Sequence, residues 1–170
     1  MTRLAINLSA RQFESNMLVE QLVEALAETG LDPSHLELEV TETCAMKDTD
    51  KSIDILNSIK KLGVRVSIDD FGTGYSSLSY LKKFPVNTLK VDRAFVRDIP
   101  DDTDDMAITT AIIQMASNLD VTVVAEGVET KEQRDFLAGK GCAMAQGYYF
   151  SRPLPIDDYM LWLAAYGQGS

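Results

Sequence analysis

The sequence predicts an α/β fold, an incomplete TIM-like (β/α) barrel of about six parallel strands. Three observations carry this prediction. Short runs rich in Val, Ile, Leu and Tyr alternate with longer segments of helical period, the runs recur about one strand plus one helix apart, and a polar residue stands near the end of each. At 170 residues and 45% hydrophobic content, the chain suffices for one core and is short for two, so residues 1–170 are expected to form a single domain.

The strand candidates are LAINL from Leu4, LELEVT from Leu36, VRVSID from Val64, TLKVD from Thr88, TVVAE from Thr122 and a weaker MAQGYYF from Met144. Between the first two, Met17, Val19, Leu22, Val23 and Leu26 recur at helical spacing and Gly30 follows as a stop. Ile53, Leu56, Ile59 and Leu62 repeat that pattern before Gly63. A short helix is expected near residues 77–84, starting around Ser77 and ended by Pro85. Ile108, Ile112, Met115 and Leu119 mark a helix after the acidic run DDTDD, whose carboxylates suit a helix N-terminus. Thr130 and Gln133 fit a capping box for the next, and an amphipathic helix surrounds Trp162. Apolar residues at these spacings are read as core.

The strand ends carry the chemistry, because loops in parallel β/α folds converge over the carboxyl ends of the strands. Those ends offer Asn7, Glu39, Asp69 with Asp70, Lys90, Glu126 and Gln146. One polar residue at a strand end is ordinarily the start of a solvated loop, but six in succession, one per unit, indicate a common mouth. Four carboxylates and an amide oxygen are hard ligands, suited to Mg2+ or Mn2+. Adjacent Asp69 and Asp70 point to opposite sides of an extended chain, so both face one site only if the strand ends there, with FGTG supplying the turn. Their mutual repulsion favours a cation between them. Two divalent ions sharing Asp69 would activate a water and neutralise a phosphate, with Lys90 orienting that water or stabilising developing charge.

Composition removes other chemistries. The net charge of −10 disfavours polymeric nucleic acid and anionic lipid surfaces. No run approaches the roughly 18 apolar residues of a membrane span, and the short start before Leu4 holds no apolar leader, so a soluble cytoplasmic protein is expected. Cys44 and Cys142 have no metal-site spacing and read as reduced thiols, while the single histidine, His35, lies in the polar turn DPSH. Gly72-Thr73-Gly74 does not complete a G-x-G-x-x-G fingerprint, since Ser77 occupies the third glycine position and two aspartates precede it. No histidine stands near a nucleophile elbow.

NLSARQF, ELEVTET, SIDDFGTGYSSLSYLKKFPVNTLKVDRAFV, VVAEGVET and QGYYFSRPLP, in this order over nearly the whole chain, resemble the EAL family of bacterial cyclic di-GMP phosphodiesterases. The resemblance implies that Asn7, Glu39, Asp69 and Asp70 bind divalent ions. It implies too that Lys90, Glu126 and Gln146 complete the metal and water site, with Glu126 also a ligand. Glu42 matches a glutamate that holds the loop after the Asp-Asp strand, with Glu129 nearby in the same role. Both are read here as loop carboxylates.

Family members carry two further strands and helices before the Asn-Leu-Ser segment. The second bears the name-giving Glu-Ala-Leu motif, whose glutamate is a metal ligand and whose following arginine contacts substrate phosphate. Nothing of those units precedes Leu4 here, so the start resembles a cut through a larger barrel. The expected site is one ligand short, and the LAINL and QGYYF strands are expected as unpaired edges that invite a second copy or a separate N-terminal segment. Three functions follow as expectations: hydrolysis of cyclic di-GMP to the linear dinucleotide, binding of cyclic di-GMP without turnover, or an interaction module.

Overall fold

A computed structural model describes residues 3–74 and 78–166. Strands β1 (Leu4–Asn7), β2 (Leu36–Thr41), β3 (Arg65–Phe71), β4 (Thr88–Val91), β5 (Thr122–Ala125) and β6 (Met144–Ala145) form one parallel sheet in sequence order. The crossovers carry α1 (Ala10–Phe13) and α2 (Leu18–Thr29), then α3 (Glu42–Lys47) and α4 (Thr49–Lys61), α5 (Leu78–Leu81), α6 (Thr103–Asn118) and α7 (Lys131–Gly139). Helix α8 (Ile156–Tyr166) follows β6. The sheet curls into a half-barrel, and among the described residues its two outer strands each pair with a single neighbour.

Strand alternation divides the side chains between helices and lumen. Leu36, Leu38, Val40, Val66, Ile68, Leu89, Val91, Val123 and Ala125 are buried under the helices. The opposite face holds polar groups that are also buried: Glu37, Ser67, Thr88 and Lys90. Beneath the strand ends, Glu37 pairs with Arg3 at 3.0 Å and lies 3.7 Å from Arg65. Parallel strands normally read as continuous apolar runs, so LELEV and RVSID already encode one polar face.

The caps follow local chemistry. Gly30 ends α2 in the left-handed conformation at φ 65°. Asp102 accepts the backbone N–H groups of Asp104 and Asp105 to start α6, and Thr130 with Gln133 closes the capping box of α7.

Several expectations need correction. MAQGYYF is a strand only at Met144–Ala145. Beyond it Gly147 presses against the Val128 backbone, Tyr149 donates to Val128 O at 3.0 Å and Phe150 to Gly147 O at 3.1 Å, so the chain turns instead of extending. The third strand runs past Asp70 to Phe71. The two short helices α1 and α3 have too few residues for a periodic signal. Met17, Val23 and Ile108 stand in helical register yet are exposed, because no element covers that side of α2 or α6 among the described residues. The expected helix start at Ser77 lies outside the described residues.

Candidate metal and phosphate site

The predicted site residues stand at one level of the sheet, although most are not the terminal residue of their strand. Asn7 ends β1 and is in register with Glu39, two residues before the end of β2. Lys90 is the penultimate residue of β4. Glu126 and Gln146 lie just past β5 and β6, where Glu126 N donates to Val91 O at 3.1 Å and Gln146 N to Ala125 O at 2.8 Å. Ladder bonds that continue beyond the strands therefore align these loop residues with the sheet.

The Lys90 ammonium is the hub. Its Nζ lies 2.8 Å from Glu39, 3.1 Å from Asp69 and 2.7 Å from Glu126. Burial disfavours the Lys90 charge, but the hydrogen-bonding carboxylates of Glu126 and Glu39 and the charges of Glu126 and Asp69 outweigh it, so Lys90 is held protonated above its ordinary range. Glu126 is pushed upward by burial, a shift that Lys90 only partly offsets.

Asp69 and Asp70 reach the same site by a bulge, not by the strand end expected from the sequence. Pairing of β3 with β4 shifts register between Ile68 and Phe71, and Asp70 adopts φ 54°. A bulge with one residue in the left-handed region re-aims a side chain across the sheet, and aspartate tolerates that region better than most residues. Oxygens of Asp69, Asp70 and Glu126 consequently lie within 4.8 Å of one another. Burial, the neighbouring Asp69 charge and a hydrogen bond with Asp92 all push Asp70 upward. Sequence reading missed Asp92. Its signal was present as the aspartate ending TLKVD, but its carboxylate also caps the turn after β4 by accepting Ala94 N at 2.6 Å.

The donor set fits a hard divalent cation. Asp69 Oδ1 is buried and accepts no hydrogen bond, so Lys90 meets it only as a charge. Crowded carboxylates around such an oxygen are stabilised when a cation lies among them.

The EAL domain pattern matches residues 1–153. The chain belongs to the EAL domain family. A similar relative is the bifunctional diguanylate cyclase/cyclic di-GMP phosphodiesterase MucR of Pseudomonas aeruginosa, 48% identical over 95% of this chain and 24% of that protein. The chain thus spans about a quarter of that curated relative's length. Among solved structures, the MucR phosphodiesterase in complex with c-di-GMP superposes with TM-score 0.90 at 48% identity, covering 92% of this chain and 64% of that one. A manganese and cyclic di-GMP complex of BlrP1 from Klebsiella pneumoniae gives TM-score 0.81 at 39% identity, covering 89% of this chain and 39% of that one.

In this EAL domain Glu42 is the first residue of α3 and not a loop carboxylate, and it is 1% exposed. It accepts Gly72 N at 2.8 Å, and a Cβ on Gly74 would stand 2.8 Å from its Oε1, so glutamate and glycine loop are fitted to one another. Glu129 is exposed, and no contact among the described residues ties its carboxylate to that loop. It lines a cleft with Glu126 and Gln146 instead. A Glu-Ala-Leu triplet does occur at residues 24–26, but it lies within α2 with Glu24 exposed, far in sequence from any strand end. His35 stands at the opposite end of the sheet, just before β2. Both cysteines are free thiols. No described helix is long and apolar enough to cross a membrane.

Proposed function

We propose that this EAL domain supplies the metal and phosphate side of a cyclic di-GMP phosphodiesterase, which hydrolyses one phosphodiester bond to give the linear dinucleotide. The observation that carries this reading is the Lys90 ammonium held within 3.1 Å of Glu39, Asp69 and Glu126, beside the Asp69, Asp70 and Glu126 oxygens.

Asn7, Glu39, Asp69, Asp70 and Glu126 would hold Mg2+ or Mn2+, two ions sharing Asp69. Bound there, divalent ions supply Lewis acidity toward the phosphate and lower the pKa of a water. In the metal-free chain the surrounding carboxylates hold Lys90 protonated, a form in which it would act as a positive charge and hydrogen-bond donor for oxygens gaining charge. Glu42 holds the Gly72 loop so that Asp70 keeps its bulged orientation, and Gln146 and Glu129 position water or substrate from the adjoining cleft. Residues 1–170 would serve as one domain in the cytoplasm, a setting with which the two free thiols agree.

A second reading is binding of cyclic di-GMP without turnover, with the β1 side of the site supplied by something else. Among the described residues Asn7 is exposed and β1 pairs with β2 alone. A second copy or a further N-terminal segment would close that side, covering Leu4 and Ile6, which are 55% and 43% exposed.

The deciding experiment is hydrolysis of cyclic di-GMP by the purified chain with Mg2+ or Mn2+, beside Asp69→Ala. Turnover by the unaltered chain that disappears in the variant is expected. Binding of cyclic di-GMP without turnover would replace the enzyme reading with the second one.

A further inference from the structure

Next to the carboxylate cluster, a cleft of about 300 Å³ opens between the ends of β4, β5 and β6, and two arginines line it with Glu126 and Gln146. Arg97 is committed: its guanidinium pairs with Asp98 at 2.7 Å. Arg93 is not. Among the described residues it takes part in no ion pair, although the chain carries a net charge of −10 and 26 acidic residues.

The base of Arg93 is fixed against the loop that presents Glu126. Gly127, at φ 69°, comes so close that a Cβ there would stand 2.5 Å from Arg93 Cβ. Only glycine combines that conformation with that approach. Arg93 also begins the 3₁₀ turn that Asp92 caps, three residues after Lys90. Its backbone is therefore positioned while its guanidinium remains uncommitted, an arrangement that suits recognition of a ligand carrying paired acceptors.

We propose that Arg93 is a specificity-determining residue that binds the part of a cyclic dinucleotide lying beyond the scissile phosphate, through a pair of acceptors in that part. This inference rests on the functional reading above. The scissile phosphate belongs at the carboxylate cluster, so the remainder of the ligand must extend over neighbouring strand ends, and the cleft at β4, β5 and β6 contains this free cation. The guanidinium fork matches both guanine O6 with N7 and two phosphate oxygens. Adenine presents a donor beside N7, so the two sources are separable.

Calorimetric titration of the chain with cyclic di-GMP and with cyclic di-AMP, in the presence of Ca2+, tests the assignment in the unaltered protein, Arg93→Ala, Arg93→Lys and Arg97→Ala. Arg93→Ala is expected to weaken cyclic di-GMP binding by about 10-fold or more, and Arg97→Ala to change it by no more than about twofold. Loss confined to cyclic di-GMP assigns the guanine edge. Equal loss for both ligands, partly restored in Arg93→Lys, assigns the phosphate. Unchanged binding in Arg93→Ala, with its circular dichroism intact, would overturn the inference and leave the functional reading standing. No binding by the unaltered chain would instead remove the functional reading, and this inference with it.

Discussion

The centre and the edges of the sheet are built on different terms. Strands β2 to β4 are buried on both faces, with Leu38, Val40, Val66, Ile68, Leu89 and Val91 beneath helices and Glu37, Ser67, Thr88 and Lys90 in the lumen. Strand β1 is exposed along its whole length and β6 has only two residues. Yet the site draws on both, since Asp69 and Lys90 come from the centre while Asn7 and Gln146 come from the edges. The lesson is that the charge cluster is held by the same packing that stabilises the core, whereas Asn7 and Gln146 rest on one neighbouring strand each among the described residues.

The largest effect expected from breaking this contrast is at its hub. Lys90→Met leaves Glu39, Asp69 and Glu126 facing one another without their cation, and should destabilise the metal-free chain by about 3–5 kcal/mol in urea denaturation. Part of that loss should return on addition of Mn2+, and equal stability with and without the ion would count against a cation-binding cluster.

The core and edge are compared directly by two truncations. Leu89→Ala, at a fully buried position, should cost about 2–5 kcal/mol. Ile6→Ala, at 43% exposure, should change stability by no more than about 0.5 kcal/mol. A comparable loss in both, measured as denaturation midpoints with unchanged slopes, would show that the β1 edge is covered in solution. Below the Leu89 truncation in expected size, Glu42→Ala removes the acceptor of Gly72 N and should cost about 1–3 kcal/mol. Glu42→Gln keeps an acceptor and should recover most of it, so an equal loss in both variants would assign the effect to charge instead of to the hydrogen bond.

How much of this was legible in the sequence depends on the distance over which each signal acts. The strands through Thr88 and Thr122, the glycine stop at Gly30 and the Thr130 capping box are encoded within a few residues, and the structure has them. The level of the site was also legible, because one polar residue near each strand end repeats with the β/α unit. What escaped was non-local. The sixth strand ends early because Gly147 meets Val128, nineteen residues before it, which no local propensity reports (147 − 128). Val23 and Ile108 carry the period of a buried face and are exposed, since period says which residues share a face and not whether anything covers it.

For Asp69 and Asp70, the sequence by itself determined that two carboxylates stand together before a glycine loop at the carboxyl end of a strand, and it identified their family. Only the tertiary structure decided how both reach one site: the mismatch between β3 and β4 places Asp70 in the left-handed region, and Lys90 arrives from the neighbouring strand to lie 3.1 Å from Asp69. The reason is physical. Residue types and local spacing are properties of one segment, whereas register, burial and the partner of a charge are set by which segments meet.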